Sequence, residues 1–148
     1  MPAEGLQPDK TFIVPMRTWF DQTDGLGIMH HSQHVLLMER AQKLLFVAVM
    51  GKDTLDPTVA PDIYMVVRNL SLDYLVSIRP ECTIRLHLTV RKVRAAGLTI
   101  DFDFRSEDDC VLYARASRTV CRMDARTHQP APWTDEFRSR HEALVVGK

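Results

Sequence analysis

The second half of the chain alternates apolar and polar side chains with the two-residue period of a β-strand. The alternation runs through residues 84–91, 98–105 and 111–121, and residues 63–74 before them are rich in Val, Leu, Ile and Tyr. Short turn-forming segments with Gly, Pro or acidic residues separate these stretches. We therefore expect four strands that pair as successive antiparallel neighbours.

The first half of the chain contains one strand pattern and one helix pattern. Residues 11–20 predict a strand with Pro15 at an edge or bend. Residues 31–50 contain neither Gly nor Pro, repeat apolar side chains at helical spacing and are followed by Gly51, a helix stop. The helix is apolar all round over residues 44–50, so we expect it to be wrapped on most sides by the sheet.

These elements predict an α+β fold in which a curved antiparallel sheet of about five strands wraps one long central helix. The 148 residues suit a single domain, with a core over about residues 12–123 and a C-terminal appendage over 124–148. In that appendage we expect a short exposed helix capped by Thr134. Tyr74 is expected in the core. An open sheet of this kind has an edge to cover, so a homodimer or homotetramer is expected.

Composition excludes several classes of function. Lys plus Arg and Asp plus Glu both number 19, and this zero formal charge argues against a nucleic-acid partner. The longest apolar run, residues 44–50, is far shorter than the roughly 20 residues of a membrane span. Three cysteines without a CxxC pair, and no signal-peptide pattern, indicate a cytoplasmic protein.

Candidate chemistry is concentrated just before the long helix. Asp24, Gly27, His30, His31 and His34 lie at the junction with the first strand. A helix N-terminus offers unpaired N–H groups and partial positive charge to an oxyanion, and Asp24 beside it could attack a carbonyl or activate water. Asp24 could equally be a turn residue before a glycine. Zinc is disfavoured because the adjacent His30 and His31 would point in different directions.

The motif Asp24-x-x-Gly27 follows an aromatic strand and precedes a helix that contains Glu39-Arg40-Ala41. Over about residues 12–123 the chain resembles the hot-dog fold acyl-CoA thioesterases, in particular the 4-hydroxybenzoyl-CoA thioesterases and the acyl-CoA thioesterases of the Tol-Pal cluster. The resemblance implies a hot-dog fold and hydrolysis of an acyl-CoA or acyl-carrier thioester. It implies no cofactor and no metal, since coenzyme A is part of the substrate.

The resemblance also implies roles for individual residues. Asp24 stands at the family's catalytic carboxylate, as nucleophile or general base, and Gly27 at its glycine. His31 stands where a backbone N–H polarises the thioester carbonyl. Lys92 and Arg94 fall where the 4-hydroxybenzoyl type binds the phosphates of coenzyme A.

Two departures from the family pattern keep other functions open. Gln22 replaces an acidic residue, and His34 replaces a tyrosine in the first turn of the helix; with His30, His34 is expected to bind substrate. A hot-dog hydratase or dehydratase would need a histidine paired with a helix glutamate, but the histidines lie at a different spacing from Glu39, which we expect to be exposed or ion-paired. A non-catalytic acyl-CoA-binding module is the remaining alternative.

Overall fold

The computed structural model describes residues 4–147, in which a six-stranded antiparallel sheet packs against one long helix. The strands are β1 Gly5–Leu6, β2 Phe12–Arg17, β3 Met65–Tyr74, β4 Thr83–Val93, β5 Gly97–Ser106 and β6 Leu112–Arg122, and the helices are α1 His31–Met50 and α2 Asp135–Glu142. The order across the sheet is β1-β2-β4-β5-β6-β3. The predicted α+β class is confirmed.

The position of β3 differs from the sequence-based expectation. β4, β5 and β6 are successive antiparallel neighbours as predicted, but β3 pairs with β6 and not with β4. The reason is that β2 already occupies the other side of β4, where Phe12 lies opposite Leu88. β3 therefore takes the free side of β6 and forms one edge of the sheet.

The core lies between the inner face of the sheet and α1. Alternate residues of β4, β5 and β6 point inward and are buried, which is the period that the sequence pattern predicted. Their side chains are Ile84, Leu86, Leu88, Val90, Leu98, Ile100, Phe102, Phe104, Ala114, Ala116, Arg118 and Val120. All but one of these inward side chains are apolar; the exception is Arg118, with 6% of its surface exposed.

Helix α1 has the predicted bounds. It spans 20 residues and ends at Gly51, whose φ of 71° is left-handed. The expected wrapping is incomplete, however, because Leu44 is 48% exposed and Ala48 is also exposed. The sheet covers one side of the helix only, and the other side faces outward. No helix within residues 4–147 is both long enough and apolar enough to cross a membrane.

The C-terminal helix is packed against the core, which corrects the expectation that it is exposed. Thr134 caps α2 as predicted, with its Oγ1 accepting from the N–H of Phe137 at 3.2 Å. Phe137 is fully buried and stacks on Trp133 and His141, at ring-centroid distances of 4.0 and 3.8 Å. The buried Asp62 accepts from the N–H and hydroxyl of Thr134 at 2.9 and 2.7 Å.

Candidate active site

Asp24 lies in a tight loop between β2 and α1. Its backbone N–H donates to the carbonyl of Ile28 at 2.8 Å, and its own carbonyl accepts from Gly27 at 3.2 Å. Gly27 has a φ of 78°, which a side chain would disfavour. The Oδ1 atom of Asp24 accepts from the N–H of Leu26 at 2.7 Å, as the turn interpretation expected. This bond fixes the orientation of a half-buried carboxylate.

Gln22 ties this loop to its surroundings. Its Oε1 accepts from the N–H of Trp19 at 2.8 Å, and its Nε2 donates to Oε1 of Gln33 in α1 at 3.2 Å. Its backbone carbonyl accepts from the N–H of His30 at 2.8 Å. A buried amide at this position donates and accepts at the same time, which a carboxylate in place of Gln22 would not do.

At the start of α1, one backbone donor has no partner within the described residues 4–147. His30 is the N-cap, and its Nδ1 accepts from the N–H of Ser32 at 3.2 Å. The N–H of Gln33 donates to the carbonyl of His30 at 2.9 Å. The N–H of His31 has no acceptor among residues 4–147. It stands at the positive end of the helix dipole and can donate to an incoming oxygen.

Tyr74 contacts the same turn from the sheet edge. Its hydroxyl donates to the backbone carbonyl of His31 at 2.9 Å, and its ring lies edge-on to His34 with centroids 4.9 Å apart. Tyr74 is 51% exposed, so the expectation that it belongs to the core is wrong. It is the last residue of β3, a strand that among residues 4–147 is paired on one side only.

His34 lies below the surface rather than in an open groove. It is 4% exposed and packs between Tyr74 and Phe104, whose ring centroid is 5.2 Å away. Burial lowers the pKa of His34 from its ordinary value, so the ring is neutral at physiological pH. Within the described part of the chain, its buried Nδ1 has no hydrogen-bond partner.

The two basic residues proposed for coenzyme A lie far from Asp24 in the same chain. The loop of Asp24 adjoins the start of β4, because Thr18 donates to the carbonyl of Cys82 at 2.8 Å. Lys92 is nine positions further along that strand, about 30 Å at the rise of a β-strand. Lys92 and Arg94 line a polar groove of about 620 Å³ on the opposite face of the sheet from α1.

A separate cavity of about 410 Å³ lies between α1 and the sheet. Its helix wall begins at Glu39, two turns beyond His31, and neither Asp24 nor His31 lines it. Glu39 forms an ion pair with Arg118 at 2.8 Å, which confirms that it is ion-paired. A helix glutamate held in this way is not a free acid or base for a dehydratase.

Comparisons with known proteins agree with this architecture. A family model described as "Thioesterase-like superfamily" matches residues 18–140. The chain is 24% identical over 137 residues to a protein named "Acyl-CoA thioesterase YbgC" from Haemophilus influenzae, a match that covers 92% of this chain and 98% of the relative.

Solved structures share the fold at lower identity. A 1,4-dihydroxy-2-naphthoyl-CoA thioesterase from Synechocystis superposes with a TM-score of 0.77 at 16% identity, covering 90% of this chain and 97% of that one. A Staphylococcus aureus protein in complex with CoA gives a TM-score of 0.82 at 11% identity, with coverage of 97% and 87%. These similarities confirm the hot-dog fold.

Proposed function

The chain belongs to the thioesterase-like superfamily, and on that premise we propose that it hydrolyses an acyl-CoA thioester. One observation carries the proposal: the half-buried Asp24 precedes a helix start where the N–H of His31 has no acceptor among residues 4–147. The relative named as an acyl-CoA thioesterase and the fold neighbour in complex with CoA support the same chemistry.

In this mechanism the thioester carbonyl oxygen accepts a hydrogen bond from the N–H of His31. Negative charge grows on that oxygen as the carbonyl carbon becomes tetrahedral, and the N-terminal end of α1 stabilises it. One such donor contributes about 3 kcal/mol of transition-state stabilisation in known oxyanion holes. Two hydrogen bonds hold the first turn in place. His30 accepts one from the N–H of Ser32, and Tyr74 donates the other to the carbonyl of His31.

Asp24 supplies the second half of the chemistry by one of two routes. As a nucleophile it attacks the carbonyl carbon, expels the coenzyme A thiolate and forms a mixed anhydride that water then hydrolyses. As a general base it takes a proton from water, which attacks directly. Both routes give a carboxylic acid and a thiol. Trapping with hydroxylamine separates them, because only the anhydride converts Asp24 to a hydroxamate.

We further propose that two chains pair through β3. In the part of the chain that the structure describes, this strand has a neighbour on one side only, and many of its apolar side chains are exposed. The exposed apolar residues of β3 and the segment after it are Val66, Val67, Leu70, Tyr74, Leu75 and Val76. On the outward side of α1, Leu36 and Leu44 are 46% and 48% exposed. Pairing would cover this surface and place a second chain beside His31.

In such a dimer, Lys92 and Arg94 from the second chain are the proposed phosphate ligands for coenzyme A, because one chain alone does not bring them near Asp24. His30 and Gly27 form the mouth of the site, and His34 supports it from below. Cytoplasmic localisation remains part of the proposal, consistent with free thiols at Cys82, Cys110 and Cys121.

The proposal is tested by thiol release from purified protein with aromatic, short-chain and long-chain acyl-CoAs. We expect release with at least one class, and a loss of about 100-fold or more in kcat for Asp24→Asn. The variant retains an Oδ1 acceptor for the N–H of Leu26, so its melting temperature should match that of the wild type. Crotonyl-CoA that loses its enoyl absorbance without releasing thiol would indicate a hydratase. Binding of acyl-CoA without turnover would indicate a non-catalytic module.

A further inference from the structure

The cavity of about 410 Å³ between α1 and the sheet, which we call the α1 cavity, is separate from the proposed catalytic loop. Neither Asp24 nor His31 lines it. The inner face of β6 on the side toward His31 is packed core, since Ala114 and Ala116 are 0% and 8% exposed. The volume lies within the range of small-ligand sites, about 300–1,000 Å³. A molecule in the α1 cavity is therefore not the end of a thioester held at His31.

The α1 cavity has a buried apolar floor and an exposed rim. The apolar residues of the floor are Leu45, Phe46, Leu98, Ile100 and Phe137. At the rim, Leu55 is 74% exposed, and Arg40 is also exposed. A small molecule can enter from solvent at this rim and gain free energy by burying an apolar body against the floor.

Two polar residues that line the α1 cavity are more than nine-tenths buried and incompletely hydrogen-bonded. Arg118 is 6% exposed, and its Nη2 pairs with Glu39 at 2.8 Å. Its Nε and Nη1 have no hydrogen-bond partner within residues 4–147. Gln42 is 8% exposed, and in the same part of the chain its Oε1 has no partner. Buried polar groups without partners are costly, so a ligand that supplies the complementary groups gains affinity from them.

The two polar residues lie at the same corner of the α1 cavity. Glu39 and Gln42 are three positions apart in α1, which places them side by side on one face of the helix, with Cβ atoms about 5–6 Å apart. Because Glu39 contacts Arg118 directly, Gln42 also lies close to the guanidinium. One compact head group can therefore meet both residues, with an acceptor for the arginine and a donor for the glutamine oxygen.

The charges around the α1 cavity favour an anionic acceptor. Lys43 is paired with Asp53 at 2.9 Å, and Glu39 offsets the charge of Arg118. Arg40 on the rim has no ionic partner among residues 4–147. Three cations therefore stand against two carboxylates, and one positive charge is left in excess. A carboxylate satisfies the arginine, but a bare carboxylate offers no donor to Gln42, so the head group also needs a hydroxyl.

We infer that the α1 cavity binds a free hydroxycarboxylic acid of medium length, at a site separate from the catalytic one. The carboxylate accepts hydrogen bonds from the guanidinium of Arg118, and the hydroxyl donates to Oε1 of Gln42. The hydrocarbon body packs against the apolar floor, where Phe46 and Ile100 lie. Such a ligand bridges α1 and the sheet, so its binding stabilises the folded protein. The inference does not depend on the proposed hydrolysis.

The test titrates the wild-type protein with 3-hydroxyoctanoate by calorimetry. Two matched ligands each lack one group: octanoate has no hydroxyl, and 1,3-octanediol has no carboxylate. We expect 3-hydroxyoctanoate to bind about fivefold more tightly than octanoate and about tenfold or more above the diol, the usual effects of a neutral and a charged hydrogen bond. At a concentration about a hundredfold above its Kd, 3-hydroxyoctanoate should raise the melting temperature by about 5 °C or more.

Three variants assign these preferences to residues. Arg118→Met should abolish the preference for 3-hydroxyoctanoate over the diol, and Gln42→Met should abolish the preference over octanoate. Arg115→Met is the control, because it alters the same strand on its outer face, where the side chain is 61% exposed, and it should keep both preferences. The inference is overturned if the two cavity variants keep both preferences. It is also overturned if the wild type binds all three ligands equally, or binds none at millimolar concentrations.

Competition distinguishes the α1 cavity from the catalytic site. Saturating coenzyme A should leave the Kd for 3-hydroxyoctanoate unchanged, and Asp24→Asn should bind the acid as the wild type does. Binding that coenzyme A displaces and that Arg118→Met retains would place the acid at the catalytic site and overturn the inference. None of these measurements requires thioester cleavage, so the inference and the proposed function can fail independently.

Discussion

Tyr74 at the edge of the sheet donates its hydroxyl hydrogen bond to the backbone carbonyl of His31, 2.9 Å away in the first turn of α1. The two residues are 43 positions apart in the chain. Burial raises the pKa of the Tyr74 hydroxyl, which keeps it protonated as a donor across the physiological range. The bond fixes the turn that presents the proposed oxyanion donor.

Replacing Tyr74 with Phe should lower catalysis without unfolding the protein. The ring keeps its contacts with His31 and His34, but the turn loses its external hydrogen bond, so we expect kcat to fall by about tenfold with little change in KM. Tyr64→Phe is the matched control, because the hydroxyl of this tyrosine contacts Nδ1 of His128 at 2.7 Å, at the opposite end of β3 from Tyr74. Equal kcat values for the two variants would contradict the positioning role of Tyr74.

His30 should contribute to stability as the cap of α1. Its Nδ1 accepts from the N–H of Ser32 at 3.2 Å, so His30→Ala leaves that donor without its acceptor. We expect a loss of about 1 kcal/mol in the free energy of unfolding, measured by urea titration. His30→Asn should restore most of it, since asparagine is a strong N-cap. An alanine variant as stable as the wild type would show that water replaces the cap at no cost.

Stability should fall as the pH drops below about 6.5, the ordinary pKa of histidine. Burial lowers the pKa of both His34 and His141 in the folded protein. Between the lowered pKa and the ordinary one, the unfolded chain binds more protons than the folded chain. Protonation therefore favours unfolding, and the loss is complete once the pH is below the folded-state pKa.

The variant His141→Phe isolates one of these two histidines. Phenylalanine can keep the stacking contact with Phe137 but does not titrate, so the decrease in unfolding free energy from pH 7.5 to pH 5.5 should be smaller than in the wild type. Chemical denaturation at the two pH values measures it. An unchanged pH dependence would mean that His141 does not contribute to the acid sensitivity.

A charge on the edge strand should disrupt the proposed dimer. Val66 on β3 is 41% exposed and Val146 near the C-terminus is 56% exposed. Val66→Glu should shift sedimentation from dimer to monomer and lower the activity, because burying a carboxylate in an apolar interface is unfavourable. Val146→Glu, the same change on a valine that is at least as accessible, should do neither. A wild-type monomer with full activity would refute pairing through β3.

Local sequence patterns predicted most of the fold because each element buries its own apolar face. The bounds of α1 and the alternation of β4, β5 and β6 follow from side-chain spacing alone. The pairing of β3 with β6 could not be predicted in this way, because an apolar strand pattern does not indicate which strand will be its neighbour. The packing of α2 was missed for a related reason, because only Phe137 and His141 of this short helix are buried.

Sequence reasoning could propose a site where its residues lie close together in the chain. Asp24, Gly27, His30 and His31 lie in one segment before a helix, and the resemblance to a known family assigned them roles that stay predictions. Tyr74 and Arg118 were not identified because the partner of each lies on α1, far away along the chain. The one usable signal was an arginine at an inward position of a strand whose other inward residues are Ala and Val.

The two hydrogen bonds from Thr134 to Asp62 attach the C-terminal segment to the rest of the domain, so that this segment contributes to its stability. A protein truncated at residue 123 would lose both donors to a carboxylate that is 3% exposed, and Phe46 would lose the ring of Phe137 that packs against it. Such a fragment keeps every strand and the whole proposed catalytic loop. We nevertheless expect its unfolding to begin at the C-terminal end of α1, the end furthest from Asp24.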